Sequence, residues 1–581
     1  MAHVKHLAVL VVLCISCTAS VVLSADVANE KPSSLKDVYG PVVVGRPPVS
    51  AYCGLVKLDS GELRHYLGRD AEKKIYTYIS SKDNGLTWTT LPIKNSPYHW
   101  AAVKSPVSKE YVRLATHDNS VYCARSKGGF NGKWTFAKIW SEKFIMLKPP
   151  VFVRAGKRML VGCHSTKRIG CGTFYSDDDG LTWKLSTFTK APHHKSGGLH
   201  NGRRWNHGAV EPTVVELKDG RVWMLIRTAQ DNHYESFSKD GGQTWSKAKP
   251  SRFYGTITMP TINRLKDGRL LFLWNNTTPL PEMNNPNGNW EDVFTNRDAL
   301  HAAVSEDEGK TWIGYRELIL NADRNRGDFA SCAKRDMSVH QTQIAELPAG
   351  KILVSLGQGV SRRLLIFDPK WLYETKHSVD FAKGLDSVTT HQYLKGIKGH
   401  CAFDRIRGAE LLTDRDSKTK SVRICNPMNK RLVIPNQGLV WNFPNAGSAK
   451  LTVKIKFPKG SKGGRISLLD RWVNASDKWS HNYAMYNLNL DSSLAIGKKA
   501  GFTPGKWHEL RFEWPNVTGA KKGASFCTAY LDDVKLAAKL PLARETANGI
   551  SYIHFISSDE ADPHGLLLSN VSLVHTNANR K

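Results

Sequence analysis

The sequence predicts an all-β protein in which a six-bladed β-propeller is followed by a β-sandwich of the jelly-roll type. Three observations carry this prediction: a short motif written four times, a glycine hairpin that recurs in register with it, and alternating apolar strands beyond the repeats. A motif that recurs every few tens of residues indicates one supersecondary unit used repeatedly. The 581 residues are also too many for one hydrophobic core, so we expect at least two domains.

The repeated motif reads Ser-x-Asp-x-Gly-x-Thr-Trp. Asp and Gly favour a tight turn, Ser and Thr supply local hydrogen bonds, and Trp is a large apolar group that packs into the unit. A decayed version of the motif lies at 126–135. The four complete copies are Ser81–Trp88, Ser176–Trp183, Ser238–Trp245 and Ser305–Trp312.

A hairpin of two apolar strands joined by a glycine turn precedes the motif copies. The turn glycines are Gly61, Gly156, Gly220, Gly268 and Gly350. From the glycine to the first Ser of the motif there are 18 to 20 residues in three of the repeats. This spacing fits a hairpin, a third strand and a turn into a fourth strand, which is one propeller blade. Counting the decayed copy and a last set of strands at 350–373, we predict six blades over residues 37–385.

One repeat is longer than the others, with 37 residues between Gly268 and Ser305. The excess, 275–296, is rich in Pro and Asn. Long loops on a propeller are frequently functional. We therefore predict that this loop lines the central site.

The two ends of the chain have different characters. Residues 1–25 carry a basic residue, an apolar run and small residues, which is typical of a cleaved signal peptide, so we expect a secreted or periplasmic protein without a membrane span. We assign 386–445 to a linker and the start of a second domain. Residues 446–581 contain alternating strands and resemble a concanavalin- or laminin-G-like β-sandwich.

The balance of 82 basic against 52 acidic residues gives a net charge of +30. In an exported protein this charge predicts acidic or sulfated glycans as partners, although a basic solvated surface is an equal alternative. No zinc-finger, helix-turn-helix or RNP pattern is present, so nucleic acid is not expected. No CxxC pair occurs among the eight cysteines beyond the predicted signal peptide, so we expect no metal and no cofactor. Cys163 and Cys171 flank a hairpin and are candidates for a disulfide.

The repeated motif is the Asp box, and the repeats resemble the six-bladed propeller of the sialidase (neuraminidase) superfamily. The resemblance covers 37–385 and implies an exo-glycoside hydrolase that acts on a terminal acidic sugar. Asp boxes are specific for the fold and weak for activity, because non-enzymatic propellers also carry them. Two alternatives therefore stay open. One is another glycan-active enzyme, either a glycosidase for a different sugar or a uronate lyase, and the other is a non-catalytic glycan-binding propeller.

The apolar run after Glu211 predicts that an innermost strand starts there, which places Glu211 at a mouth of the central channel. Arg227 follows 16 residues later, and Arg297 lies eight residues before Ser305. In these positions they resemble two members of the arginine triad that binds the sialic acid carboxylate in sialidases. A planar guanidinium suits this role because its fork binds a carboxylate through two hydrogen bonds.

The sequence also departs from the family pattern. No Arg-Ile-Pro precedes the first hairpin, and Arg46 is the nearest substitute for the first triad arginine. Asp70 is the best candidate for the family's acid/base aspartate. The position of the nucleophilic tyrosine holds His340 and Gln341 instead. The tyrosine mechanism therefore cannot be assumed for this chain.

Other residues remain as candidates for the chemistry. Glu211 is a candidate general base with a raised pKa, and His207, His233 and His340 are candidate acids or bases. Gln341 and Trp205 are candidates for substrate binding.

Overall fold

The computed structural model describes residues 32–49, 54–70, 75–93, 101–194, 208–255, 257–278, 297–321, 338–397, 403–413, 418–432, 434–496 and 500–576. The fold is all-β, as predicted. Within these ranges no helix has both the length and the apolar character needed to cross a membrane. The helices described are short 3₁₀ segments, at Leu35–Asp37, Pro348–Gly350, Gly359–Ser361, Pro369–Tyr373 and Ser480–Asn482.

Six antiparallel sheets of four strands follow one another along the chain and form the blades of the predicted propeller. Strand β1 (Val42–Gly45) belongs to the last of them, sheet six. Sheet one contains β2 (Leu55–Lys57), β3 (Leu63–Asp70), β4 (Ile75–Ser81) and β5 (Thr89–Pro92); sheet two β6 (Val103–Lys104), β7 (Tyr111–His117), β8 (Ser120–Lys127) and β9 (Lys133–Trp140); sheet three β10 (Val151–Val153), β11 (Arg158–Ser165), β12 (Gly170–Ser176) and β13 (Lys184–Leu185); sheet four β14 (Ala209–Glu216), β15 (Val222–Thr228), β16 (Asn232–Ser238) and β17 (Lys249–Tyr254); sheet five β18 (Thr261–Arg264), β19 (Leu270–Trp274), β20 (Ala299–Ser305) and β21 (Ile313–Leu320); and sheet six β22 (Gln343–Glu346), β23 (Ile352–Leu356) and β24 (Arg363–Phe367).

The ring closes through its first strand. β1 pairs antiparallel with β24, so a strand from the start of the chain completes the blade formed by its end. At the inner edge, the Gln343 side chain accepts from the Leu55 N–H (2.9 Å) and donates to the Leu55 carbonyl (2.8 Å). The two hydrogen bonds of Gln343 join the inner strands of sheets six and one, and the chain itself connects β1 of sheet six to β2 of sheet one.

Each Asp box forms the turn between the third and fourth strands of a blade. In the box of sheet four, Ser238 donates to Asp240 Oδ1 (2.7 Å), and Asp240 accepts from both the N–H (2.9 Å) and the hydroxyl (2.6 Å) of Thr244. In sheet five the Trp312 ring is buried and packs edge-on against Phe253 of sheet four at 5.2 Å. The boxes therefore stabilise the blades and the contact between neighbouring blades. They lie at the edge of the propeller opposite the edge where the inner strands begin.

The chain then forms two facing sheets, which gives the predicted β-sandwich. Its core includes Phe443, Leu451, Phe512 and Leu568, all buried between the sheets. In order of pairing, the first sheet contains β29 (Glu410–Thr413), β30 (Lys420–Asn426), β41 (Asp562–His575), β32 (Ala449–Lys456), β37 (Trp507–Trp514), β38 (Phe526–Leu531) and β39 (Val534–Pro541). An eighth strand of this sheet, β25 (Lys376–Val379), also pairs with β41. The second sheet contains, in order of pairing, β26 (Val388–Thr389), β31 (Gly438–Ala446), β40 (Ile550–Ser557), β33 (Gly464–Leu469) and β34 (Ala484–Leu490). Two small hairpins are β27 (Gln392–Ile397) with β28 (Phe403–Ile406) and β35 (Ala495–Ile496) with β36 (Ala500–Gly501).

Strands of the sandwich begin earlier than the sequence pattern indicated. β25 lies before residue 385, and β29, β30 and β31 lie in the stretch predicted to be a linker and the start of the second domain. These strands carry no repeated motif, so no register was available to find them.

The sandwich packs against the outer strand of sheet five, where Asn442 Nδ2 donates to the Tyr315 carbonyl (3.0 Å), and it also reaches the edge of the propeller where the inner strands begin. Trp472 N–H donates to the Asn276 carbonyl (2.9 Å), and Thr278 N–H donates to the Trp472 carbonyl (3.1 Å). The described start of the enlarged loop is therefore held by the sandwich, and residues 279–296 of that loop lie outside the described residues. Tyr393 also donates to Asp298 Oδ2 (3.0 Å), directly beside Arg297.

The predicted pairing of Cys163 with Cys171 is wrong. Across β11 and β12, Cys163 lies opposite Gly172, and Cys171 lies opposite His164. Opposite residues share a face and successive residues alternate, so the two thiols point to opposite faces of the sheet. Both cysteines are free and buried, and burial raises the pKa of each thiol.

Candidate active site

The candidate site lies at the edge of the propeller where the inner strands of sheets four, five and six begin. Glu211 belongs to the first residues of β14, Thr261 opens β18, and Gln341 lies two residues before the start of β22. Inner strands of a propeller surround its central channel. Side chains at these three positions therefore meet at one mouth of the channel.

Glu211 lies within a β-bulge, a local arrangement that differs slightly from the prediction. β14 begins at Ala209, and its pairing with β15 shifts between Val210 and Thr213, so Glu211 and Pro212 are not part of the regular ladder. A bulge tolerates Pro, which cannot donate a ladder hydrogen bond, and it re-aims the neighbouring side chain. The Glu211 N–H donates instead to His164 Nδ1 of sheet three at 3.1 Å.

Two residues of the mouth adopt strained backbone conformations. Glu211 has a φ of 47°, and Gln341 has a φ of 59°. A residue with a side chain rarely adopts positive φ, and such strain concentrates at functional sites when the surrounding structure enforces it. The Oε1 atom of Gln341 is buried and has no hydrogen-bond partner among the described residues. These features mark both residues as candidates for ligand contact.

The Glu211 carboxylate forms a buried ion pair with Arg227. Arg227 Nη1 donates to Glu211 Oε2 at 2.6 Å, with side chains that are 3% and 9% exposed, respectively. Burial raises the pKa of the Glu211 carboxyl, but the charge and hydrogen bond of Arg227, aided by His164 and Arg297, hold its pKa below the ordinary value. The expectation of a raised pKa for Glu211 is therefore wrong, because the sequence did not reveal how many cations surround it.

Arg297 and His340 lie in contact with each other, and the charge of Arg297 acts on the Glu211 carboxyl. Arg297 Nη2 donates to the Ile257 carbonyl (2.6 Å), and its Nη1 lies 3.2 Å from His340 Nε2. His340 Nε2 is also 2.6 Å from Gln358 Oε1, in the loop that follows β23. Both Arg297 and His340 are almost completely buried. The structure thus brings the charged side chains of Glu211, Arg227 and Arg297 together, with His340 in contact with Arg297.

Lys148 is a residue of this mouth that the sequence interpretation missed. It precedes β10 of sheet three, and its Nζ donates to Thr261 Oγ1 (2.5 Å) and to the Thr342 carbonyl (2.6 Å). Burial lowers the pKa of Lys148 to about 7, and the Glu211 carboxylate partly opposes this. A signal for it was available: Lys148 lies eight residues before the hairpin glycine of its blade, while Glu211 and Gln341 lie nine residues before theirs.

The other candidates fall in three groups. Arg46 is exposed and donates to the Gly359 carbonyl at the outer part of sheet six (3.2 Å). Asp70 is the last residue of β3, which extends past the start of β2 at the edge of the propeller that contains the mouth. His233 is fully buried edge-on against Phe272, and burial lowers its pKa to about 3, so this histidine is neutral. Trp205 and His207 lie outside the described residues.

Comparisons with known proteins agree with the repeat structure. Residues 63–327 match the BNR repeat-like domain family. Over 225 residues the chain is 26% identical to the anhydrosialidase of Macrobdella decora, which corresponds to 36% of this chain and 25% of that protein. The chain therefore spans about a quarter of the length of this relative.

Two solved structures that match this chain have low sequence identity to it. A protein of unknown function from Dyadobacter fermentans is 17% identical, with a TM-score of 0.39, and the match covers 57% of this chain and 97% of that one. Trypanosoma rangeli sialidase in complex with 2,3-difluorosialic acid is 14% identical, with a TM-score of 0.33 and 91% of each chain covered.

Proposed function

We propose that this chain, whose propeller belongs to the BNR-repeat superfamily that includes the sialidases, is a glycoside hydrolase that releases a terminal acidic sugar from glycans. The similarity to an anhydrosialidase and the match to the BNR repeat-like family support a sialidase-like, glycan-active protein. Secretion, predicted from residues 1–25, would bring the enzyme to extracellular or periplasmic glycans.

The observation that carries the proposal is the cluster of Glu211, Arg227 and Arg297 at one mouth of the channel. Glu211 and Arg227 share a 2.6 Å ion pair, and the charge of Arg297 also acts on the Glu211 carboxyl. Two buried guanidinium groups at the mouth of the channel form a site that favours a carboxylate ligand. A terminal sugar that carries a carboxylate matches this chemistry better than a neutral sugar does.

The chemical step follows from the protonation state of Glu211. Because the pKa of Glu211 is lowered, the side chain is an anion at neutral pH. An anion beside the reacting carbon stabilises an oxocarbenium-like transition state and accepts a proton from an attacking water. The amide oxygen of Gln341, which has no hydrogen-bond partner in the part of the chain that the structure describes, lies at the position where sialidases carry tyrosine and is suited to orient that water. Asp70 and His340 remain the proposed donors to the leaving group.

The test is release of free sialic acid from sialyllactose by the purified chain. We expect Glu211→Gln to abolish release, and circular dichroism of the variant checks that it is folded. Glu216→Gln is the matched control, because Glu216 is the last residue of the same strand and its carboxylate accepts from the Arg154 N–H away from the mouth. Equal loss in both variants would contradict a specific role for Glu211.

Two further measurements, of absorbance and of glycan binding, separate the alternatives. Ultraviolet absorbance of an unsaturated product from uronate polymers, without release of sialic acid, would indicate a lyase. Binding to acidic glycans without any turnover would indicate a glycan-binding propeller.

A further inference from the structure

The Lys148 side chain crosses the central channel just below the mouth. It starts from sheet three and reaches Thr261 in sheet five and Thr342 beside sheet six. In a ring of six blades, sheets three and six lie on opposite sides of the axis. Lys148 therefore forms the floor of the site that contains Glu211 and Gln341.

The hydrogen bonds of Lys148 leave it able to bind an anion. An ammonium has three donors, and the described residues accept two of them, through Thr261 Oγ1 and the Thr342 carbonyl. The Thr342 hydroxyl also donates to Thr261 Oγ1 (2.7 Å), which fixes both acceptors in place. A carboxylate that enters from the mouth can take the third donor without breaking this network.

The charge of Lys148 depends on its surroundings. Burial disfavours the ammonium and brings the pKa to about 7, while the Glu211 carboxylate favours it. The other charged or titratable groups around Glu211 are Arg227 of β15, Arg297 ahead of β20 and His164 of β11, with His340 beside Arg297. Because its pKa is lowered, Glu211 is ionised at neutral pH, so the negative charge that Lys148 faces stays constant while Lys148 itself changes charge near pH 7.

We propose that Lys148 is a binding residue for the carboxylate of an acidic sugar and that it takes up one proton from solvent when the sugar binds. The ligand's negative charge stabilises the ammonium, which then adds a third cation to those of Arg227 and Arg297. This inference rests on the proposed acidic-sugar ligand but not on turnover.

Calorimetric titration of the full chain with N-acetylneuraminic acid tests the proposal. At pH 8, titrations in buffers of different ionisation enthalpy should give an uptake of about one proton per sugar, and affinity should fall by up to about tenfold per pH unit above pH 7. Lys148→Arg should bind without proton uptake, and Lys148→Met should bind weakly and also without uptake. His164→Gln and His340→Gln are the controls and should retain the uptake.

A second measurement does not depend on variants that fold. The rate at which the Lys148 amine reacts with acetic anhydride, followed by peptide mass spectrometry across pH, should have its midpoint near 7 and should move upward with bound sugar. A midpoint near the ordinary value of 10.5 would overturn the proposal, as would uptake that persists in Lys148→Arg. Binding with uptake but no turnover would contradict the hydrolase alone, and no binding of any acidic sugar would contradict both.

Discussion

The carboxylate of Glu211 lies 2.6 Å from the guanidinium of Arg227, on the adjacent strand of the same sheet. Val210, beside Glu211, is paired directly with Arg227, and the bulge then turns Glu211 toward its partner. The acid and its counter-ion are thus held by one pair of strands. Because both are buried, neither charge is compensated well by water if the other is removed.

Replacing Arg227 with Met should therefore destabilise the protein by about 3–5 kcal/mol at pH 7. In the wild type the lowered pKa of Glu211 means that its contribution to stability is present above about pH 4.5 and is lost as the pH falls through the folded pKa. In Arg227→Met the cation that lowers the pKa of Glu211 is gone, so burial raises this pKa. The carboxyl is then protonated more easily, and the destabilisation of the variant relative to wild type should become smaller as the pH falls. Urea denaturation at pH 7 and pH 4 measures both effects.

The double variant Arg227→Met with Glu211→Gln is the control for this prediction. It should recover part of the lost stability at pH 7, because the isolated buried carboxylate is gone. An equal loss in the single and double variants would show that packing, not charge, explains the effect.

Arg297→Lys should weaken the binding of N-acetylneuraminic acid by about 10- to 100-fold, because a forked, charge-assisted hydrogen bond of about 1.5–3 kcal/mol is lost. Calorimetry measures the affinity. Arg264→Lys is the matched control, since Arg264 ends β18 away from the mouth and pairs with Glu308 at 2.6 Å. Equal weakening in both variants would contradict a direct role for Arg297.

Asp477 provides a test of buried charge in the sandwich. Its side chain is fully buried, Oδ1 accepts from the Trp479 N–H (2.9 Å), and Oδ2 has no hydrogen-bond partner among the described residues. Burial raises its pKa from 3.8 to about 7. Because the pKa of Asp477 is higher in the folded than in the unfolded protein, its contribution to the free energy of unfolding is fully present below pH 3.8. This contribution is lost as the pH rises to about 7, and the loss is at most about 4 kcal/mol.

Asp477→Asn should accordingly raise the melting temperature at pH 8 and have little effect at pH 4. Asp491→Asn is the control with the opposite sign, because hydrogen bonds from Ser493 lower the pKa of this exposed carboxyl, and its stabilisation is lost as the pH falls below 3.8. If the difference in melting temperature between Asp477→Asn and wild type were the same at pH 4 and pH 8, the prediction would be contradicted.

The thiols of Cys163 and Cys171 should both be reduced, even in protein purified after export. Both are completely buried with raised pKa values, so iodoacetamide should label neither in the native state and both after denaturation without reductant. Peptide mass spectrometry distinguishes these states. Recovery of a disulfide-linked peptide containing both cysteines would contradict the observed register of β11 and β12.

Much of the propeller was predictable because its information is local. Each Asp box closes its own turn, as Asp240 does with Ser238 and Thr244, so the motif keeps its residues wherever the fold repeats. The glycine hairpins then gave the register that places Glu211, Arg227 and Arg297 near one another. Counting from the same glycines would also have found Lys148, but its residue type did not match any family position.

The sequence by itself determined the repeating unit, the number of blades and the edge at which the charged residues gather, because turns and strand alternation depend on residues close together in the chain. Only the tertiary structure decided how the ring closes through β1, that Cys163 and Cys171 face apart, and that Glu211 is held as an anion. Those outcomes depend on groups far apart in sequence, such as Lys148 with Thr342 or Asp298 with Tyr393, whose distances and shared burial arise only when the blades and the sandwich assemble.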